Sequence, residues 1–196
     1  MQDNTGFSPQ ESLRLIDSMI KEARNKYSEN GHLYLFWGWV ILFCSAANFV
    51  MAYFKLYDKP YQIWWLTAAA GIYQFVYVLK HKTNRATKSY TDLLYGYIWL
   101  TFGVLLILAI IMTAIKGNWD FLYPQILALY GMPVFLSGII LRFLPLKAGG
   151  IVCWLLAIAA SVVSVQYHLL LLVIAIIVAW LIPGYMLQAK YKKENK

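Results

Sequence analysis

Three histidines, two cysteines and nine carboxylates are the side chains with which this chain could do acid–base, nucleophilic or metal chemistry. Their spacing assembles none of it. His32 and His81 border apolar runs at one end, and His168 opens a run at the other. None shares a level with both an acid and a nucleophile, as a hydrolytic triad requires. Cys44 and Cys153 lie inside apolar runs with no histidine or second cysteine at metal-ligand spacing, so they read as small buried side chains. No zinc-protease helix motif, phosphate-cradling glycine loop or flanking carboxylate pair occurs. Asp92 and Asp120 fall at the borders of apolar runs, whose interiors contain no Asp, Glu, Lys or Arg. Ionisable groups at membrane depth mark proton relays and ion pathways. The expectation is a protein that is not an enzyme, with no cofactor and no metal.

The neutral polar residues are then the ones to watch. Asn48 and Gln74 are the costliest to bury and should find partners, by interhelical hydrogen bonds first and ligand contacts second. Ser45, Thr67, Ser137 and Ser161 belong to the same group. Pro133 should kink its helix by removing one backbone hydrogen bond, with Gly131 and Gly138 close by. Carbonyls freed there could line a cavity. Asn48, Gln74 and Pro133 are therefore the candidate wall of a solute path. The pair Trp64-Trp65 reads first as interfacial aromatics, and second as part of a cation cage.

The elements that position these residues follow from composition. Of 196 residues, 61% are hydrophobic and 13% charged, well outside the soluble range. A hydrocarbon layer about 30 Å thick needs about 20 apolar helical residues. Six stretches suit that length: Leu33–Phe54, Tyr61–Val78, Leu93–Ile115, Phe121–Phe143, Gly149–Val165 and His168–Leu187. They must be helices, because the backbone has no water to bond with there. The expected fold class is an all-α membrane protein, a six-helix bundle preceded by an amphipathic helix. Residues 1–31 form a cytoplasmic segment, 32–188 the membrane domain and 189–196 a basic tail.

Orientation comes from lysine and arginine. Fourteen of the 17 lie in the N-terminal segment, the second and fourth loops and the tail; only Lys55, Lys59 and Lys116 face the other side. This alternation requires an even number of spans and places both termini in the cytoplasm. Aromatic residues agree: Tyr34, Phe36, Trp37 and Trp39 mark the inner end of the first span, while Trp64, Trp65, Trp119 and Tyr123 mark outer turns. The first 30 residues show no apolar signal segment, so the first span would direct insertion. The net charge of +8 is explained by anionic lipid headgroups at the cytoplasmic face, with no nucleic-acid partner expected.

Ser8-Pro9-Gln10-Glu11 is a helix-start signal with a capping box. Leu13, Ile16, Ile20 and Ala23 then share one helical face, opposite Arg14, Asp17 and Lys21. That stripe lies on the membrane surface or docks on a protein partner. Phe36-Trp37-Gly38-Trp39 and Tyr95-Gly96-Tyr97 begin odd-numbered spans, and Gly71 and Gly131 sit inside even ones. The pattern suggests three helical hairpins, although close helix packing alone would also select such glycines.

With Glu11-Ser12-Leu13-Arg14-Leu15-Ile16 at its start and Tyr34-Leu35-Phe36-Trp37-Gly38-Trp39 at the head of its first span, the chain resembles small uncharacterised six-span bacterial inner-membrane proteins across nearly its whole length. The resemblance implies a multi-pass location in the cell inner membrane, and no activity or ligand. Two functions fit the residues. One is a non-enzymatic interaction, regulatory or scaffold protein, working through its N-terminal helix or as a homo-oligomer. The other is a transporter or channel for a neutral or apolar small solute.

Overall fold

The structure, a computed structural model, describes residues 10–11, 13–14, 31–82 and 90–194. Among these residues the chain is all-helical, without a strand. Helix α1 (Gly31–Tyr53) leads through a 3-10 turn (Pro60–Trp64) into α2 (Trp65–Lys82). Helix α3 (Tyr90–Lys116), a 3-10 turn (Trp119–Phe121) and α4 (Leu122–Ile140) follow. Helix α5 (Leu144–Val162) and a 3-10 turn (Val165–Tyr167) precede the last rod. That rod is α6 (His168–Ile176), a π-helical turn (Ile177–Leu181) and α7 (Ile182–Glu194), joined without a break.

Five stretches are long and apolar enough to cross a membrane: Tyr34–Tyr53, Leu93–Lys116, Trp119–Ile140, Leu144–Val162 and Val165–Lys190. Helix α2, expected as the second span, is not one of them. It gives positions to Thr67, Tyr73, Gln74 and Tyr77 and closes on Lys80-His81-Lys82. The span expected to begin at Gly149 begins at Leu144. Pro145 sits in its first turn, where a missing N–H costs nothing, and Lys147 lies within the helix.

The helix ends are closed by backbone geometry. After α1, Lys55 takes a left-handed φ of 50°, and the N–H groups of Lys55 and Leu56 return to the carbonyls of Ala52 and Met51. After α4, Arg142 has φ 49°, and Arg142 and Phe143 bond back to Ile139 and Gly138. Both are Schellman endings, built on basic residues where glycine is usual. Gly117 ends α3 with φ 67° and a bond to the Thr113 carbonyl.

Helices α4 and α5 form the most extensive pairing in the chain. Their backbones meet where Gly131 faces Gly150. Leu127, Val134, Leu146, Leu172 and Ile176 are fully buried, so the core lies among α4, α5 and the last rod, with α1 packed on that rod. The other two helices are peripheral. Helix α2 packs on α1 and α3 on α4, but α2 and α3 scarcely touch each other. Only 11% of the apolar stretch on α3 is buried, against 50% on the last rod.

The glycines of the suggested hairpin repeat do not share surroundings. A Cβ on Gly38 would lie 2.8 Å from Leu181, whereas one on Gly96 would meet nothing within 4 Å. Gly131 is packed against α5, while Gly71 is open. Of the N-terminal helix, Gln10, Glu11, Leu13 and Arg14 are helical. Ser8, Ile16, Ile20 and Ala23 lie outside the described residues.

Candidate functional site

The gap between α2 and α3 opens into a cavity of about 910 Å³. Its walls come from α1 (Tyr34, Trp37, Ile41), α2 (Thr67, Ala68, Gly71, Gln74), α3 (Tyr95 to Ile110), α4 (Leu122 to Tyr130) and the last rod (Leu172, Trp180). Tyr61, Trp64 and Trp119 of the 3-10 turns close one end. Between Tyr95 and Ile110 the wall follows α3 for about 22 Å, at 1.5 Å per residue. It is an elongated crevice.

Two properties define its chemistry. Among the described residues no wall side chain carries a charge, and ten of the 23 are Trp or Tyr. Pockets for small apolar ligands are concave and mostly apolar, with a few polar groups that fix orientation. The volume is at the upper end of that class.

At the end near the starts of α1 and α3, three rings from three helices meet. Tyr34 and Trp99 stand edge to face at 5.6 Å and Trp99 and Trp180 at 5.3 Å, while Tyr34 and Trp180 are tilted at 5.6 Å. Tyr130 extends the cluster, 5.6 Å from Trp180 and 5.4 Å from Phe102. Edge-to-face pairing directs ring edges at ring faces, the arrangement aromatic quadrupoles favour. The Trp180 indole N–H is buried there with no hydrogen-bond partner among the described residues, while the Tyr34 hydroxyl and the Trp99 indole both face Tyr95. Ser137 Oγ is buried beside the same two tyrosine hydroxyls.

Trp180 reaches this cluster from the π-helical turn. Pro183 follows that turn and has no N–H to offer the preceding carbonyls. The widened turn ends with the Ile182 N–H bonded to the Ile177 carbonyl. Such bulges recur at functional sites.

The sequence-derived path residues are distributed unevenly. Gln74 lines the crevice, and its Oε1 accepts a hydrogen bond from Trp37 Nε1 across the α1–α2 interface. Asn48 is buried near the crevice's other end, its side chain facing the Tyr123 hydroxyl. Pro133 is fully buried on α4, away from the cavity wall. Asn48 and Gln74 are therefore not brought together. Ser45, Thr67 and Ser161 bond to carbonyls of their own chain three or four residues back, those of Ile41, Leu42, Trp64 and Ala157. Trp64 lines the crevice while Trp65 is 75% exposed, so the pair does not converge. Leu13, the described member of the N-terminal face, is 66% exposed.

His168 is buried, with Nε2 3.1 Å from the Val163 carbonyl and its ring 6.2 Å from Tyr123. Cys44 and Cys153 are buried free thiols. Among the described residues no three His, Cys, Asp or Glu side chains gather as metal ligands would.

Tyr95 enters the sequence reading only through the aromatic-glycine pattern, and Trp99, Phe102 and Trp180 are not candidate site residues there. Three of them share one stripe of α3, at positions 95, 99 and 102, a spacing that puts side chains on one helix face. That stripe was the available signal.

Comparison with known protein families, with curated proteins and with solved structures finds no match to this chain.

Proposed function

We infer that this protein spans a membrane and holds a neutral, apolar, elongated molecule in the crevice between α2 and α3, taken up sideways from the lipid. A carrier or a binding protein for a lipid-soluble solute is the function this describes. The observation that carries it is an uncharged, aromatic cavity of about 910 Å³ bordered by two helices that scarcely touch. A ligand without charge needs no ionic partner, and burying a charge in such walls would be prohibitive. Burial of apolar ligand surface supplies the affinity.

The reading keeps six spans with α2 as the second, both ends in the cytoplasm and a bacterial inner membrane as location. The charge alternation supports the first two, and the resemblance supports the third. No catalytic role is proposed.

The test uses Gly71 and Gly103, which line the crevice from opposite helices and have nothing within 4 Å of an added Cβ. Protein extracted from its host membrane into nanodiscs is analysed by mass spectrometry. A neutral apolar molecule should co-purify with the wild type and be lost from Gly71→Leu and Gly103→Leu. Equal content in all three overturns the reading.

A second reading has a narrower basis. Leu13 stands exposed on a helical segment, which suits a protein that docks a partner through its N-terminal helix. Deleting residues 1–30 should then remove a co-purifying protein.

A further inference from the structure

The crevice has a hydrogen-bonding polarity, and it is set by one contact between α1 and α2. An indole N–H can only donate, whereas a glutamine amide has an accepting oxygen and a donating NH₂. Trp37 Nε1 donates to Gln74 Oε1, so the amide cannot flip without losing that bond. The oxygen is committed to Trp37. The NH₂ has no protein partner among the described residues and is the hydrogen-bonding group that Gln74 contributes to the crevice wall.

The same end of the crevice is rich in further donors. The indole N–H groups of Trp99 and Trp180 can only donate, and that of Trp180 is buried with no partner among the described residues. Among the described residues the wall holds no carboxylate, so a ligand's own donors find only Tyr and Thr hydroxyls as side-chain acceptors beyond the committed Gln74 oxygen. Nor does any described wall residue offer a Lys or Arg to neutralise a phosphate or carboxylate head. A neutral acceptor remains, and carbonyl oxygen is the neutral acceptor that apolar molecules commonly carry. Flat Trp and Tyr walls also suit a planar group better than a branched one.

We propose that the crevice selects a neutral carbonyl-bearing apolar molecule, its carbonyl oxygen accepting from the Gln74 NH₂ and its apolar remainder lying along α3 toward Ile110. This rests on the crevice being a ligand site. A lipid-soluble quinone and the ester of a neutral lipid supply the same chemistry.

The full-length protein in nanodiscs is titrated with three probes: a short-chain alkylnaphthoquinone, the alkylnaphthalene of matching shape, and dioctanoylglycerol. Binding is read by displacement of a bound apolar fluorophore. One carbonyl hydrogen bond should make the quinone or the diacylglycerol bind about tenfold more tightly than the hydrocarbon. Gln74→Leu should erase that preference, so that the carbonyl probes and the hydrocarbon bind the variant alike. Trp37→Phe, which frees the amide to flip, should reduce the preference while keeping Gln74 in place. Whichever carbonyl probe shows the Gln74-dependent preference identifies the source. Equal binding of all three probes to the wild type overturns this inference and leaves the crevice as a ligand site. Binding of none overturns the ligand site itself.

Discussion

Gly150 on α5 lies so close to Gly131 on α4 that a Cβ at position 150 would sit 2.8 Å from the Gly131 carbonyl oxygen. The same atom would be 2.6 Å from Phe135 Cβ. Close approach of two backbones replaces side-chain packing at this crossing, as small residues allow between helices in lipid. Trp154 then lies over Gly131 and donates its indole N–H to the Ala128 carbonyl at 3.1 Å.

Gly150→Ala should therefore destabilise the protein by about 1–3 kcal/mol, the usual cost of overpacking a tight site. Gly103→Ala, in open space, should change stability by no more than about 0.5 kcal/mol. Thermal unfolding followed by tryptophan fluorescence in one detergent compares the two. Equal melting temperatures would contradict the close crossing.

Arg142 adopts φ 49° at the end of α4. The left-handed conformation costs a residue with a Cβ about 1–2 kcal/mol, and glycine almost nothing. Arg142→Gly should accordingly raise stability by up to about 1 kcal/mol, and Arg142→Val should lower it. The same melting assay reads both. A destabilised glycine variant would show that the Arg142 side chain contributes more than its backbone costs.

Topology is checked by surface labelling. In a Cys44→Ala, Cys153→Ala background, single cysteines replace Lys59, Lys116 and Lys193, all exposed. The positive-inside split predicts that positions 59 and 116 react with a membrane-impermeant maleimide on intact cells. Position 193 should react only after permeabilisation. Labelling of 59 and 116 on opposite sides would contradict an α2 that crosses the membrane.

That experiment concerns the helix that sequence and structure treat differently. Tyr61–Val78 is apolar enough to pass as a span by eye, yet its Thr67, Gln74 and tyrosines make α2 the least apolar of the long helices. Thr67 and Gln74 face the crevice, so part of the polarity that weakens the span belongs to the candidate site. The remaining apolar helices were legible because length and apolar content alone determine them. The start of α5 was not, because Lys147 resembles a loop residue when Pro145 is read as a break instead of a first-turn proline. The π-helical turn at Trp180 has no sequence mark beyond Pro183 three residues on. The crevice itself depends on which helices fail to pack, and no single segment encodes that. Gln74 stood out in isolation as a polar residue in an apolar run, but its bond to Trp37, 37 residues away, is a property of the folded pair.

The central claim is that the space between α2 and α3 is a ligand site. The most direct measurement is an experimental structure of the protein extracted with its native lipids, solved beside the Gly103→Leu variant. The account predicts elongated density along α3 between Tyr95 and Ile110, within hydrogen-bonding distance of Gln74 in the wild type and absent from the variant. A wild-type structure in which α2 packs directly on α3 and leaves no crevice would contradict it.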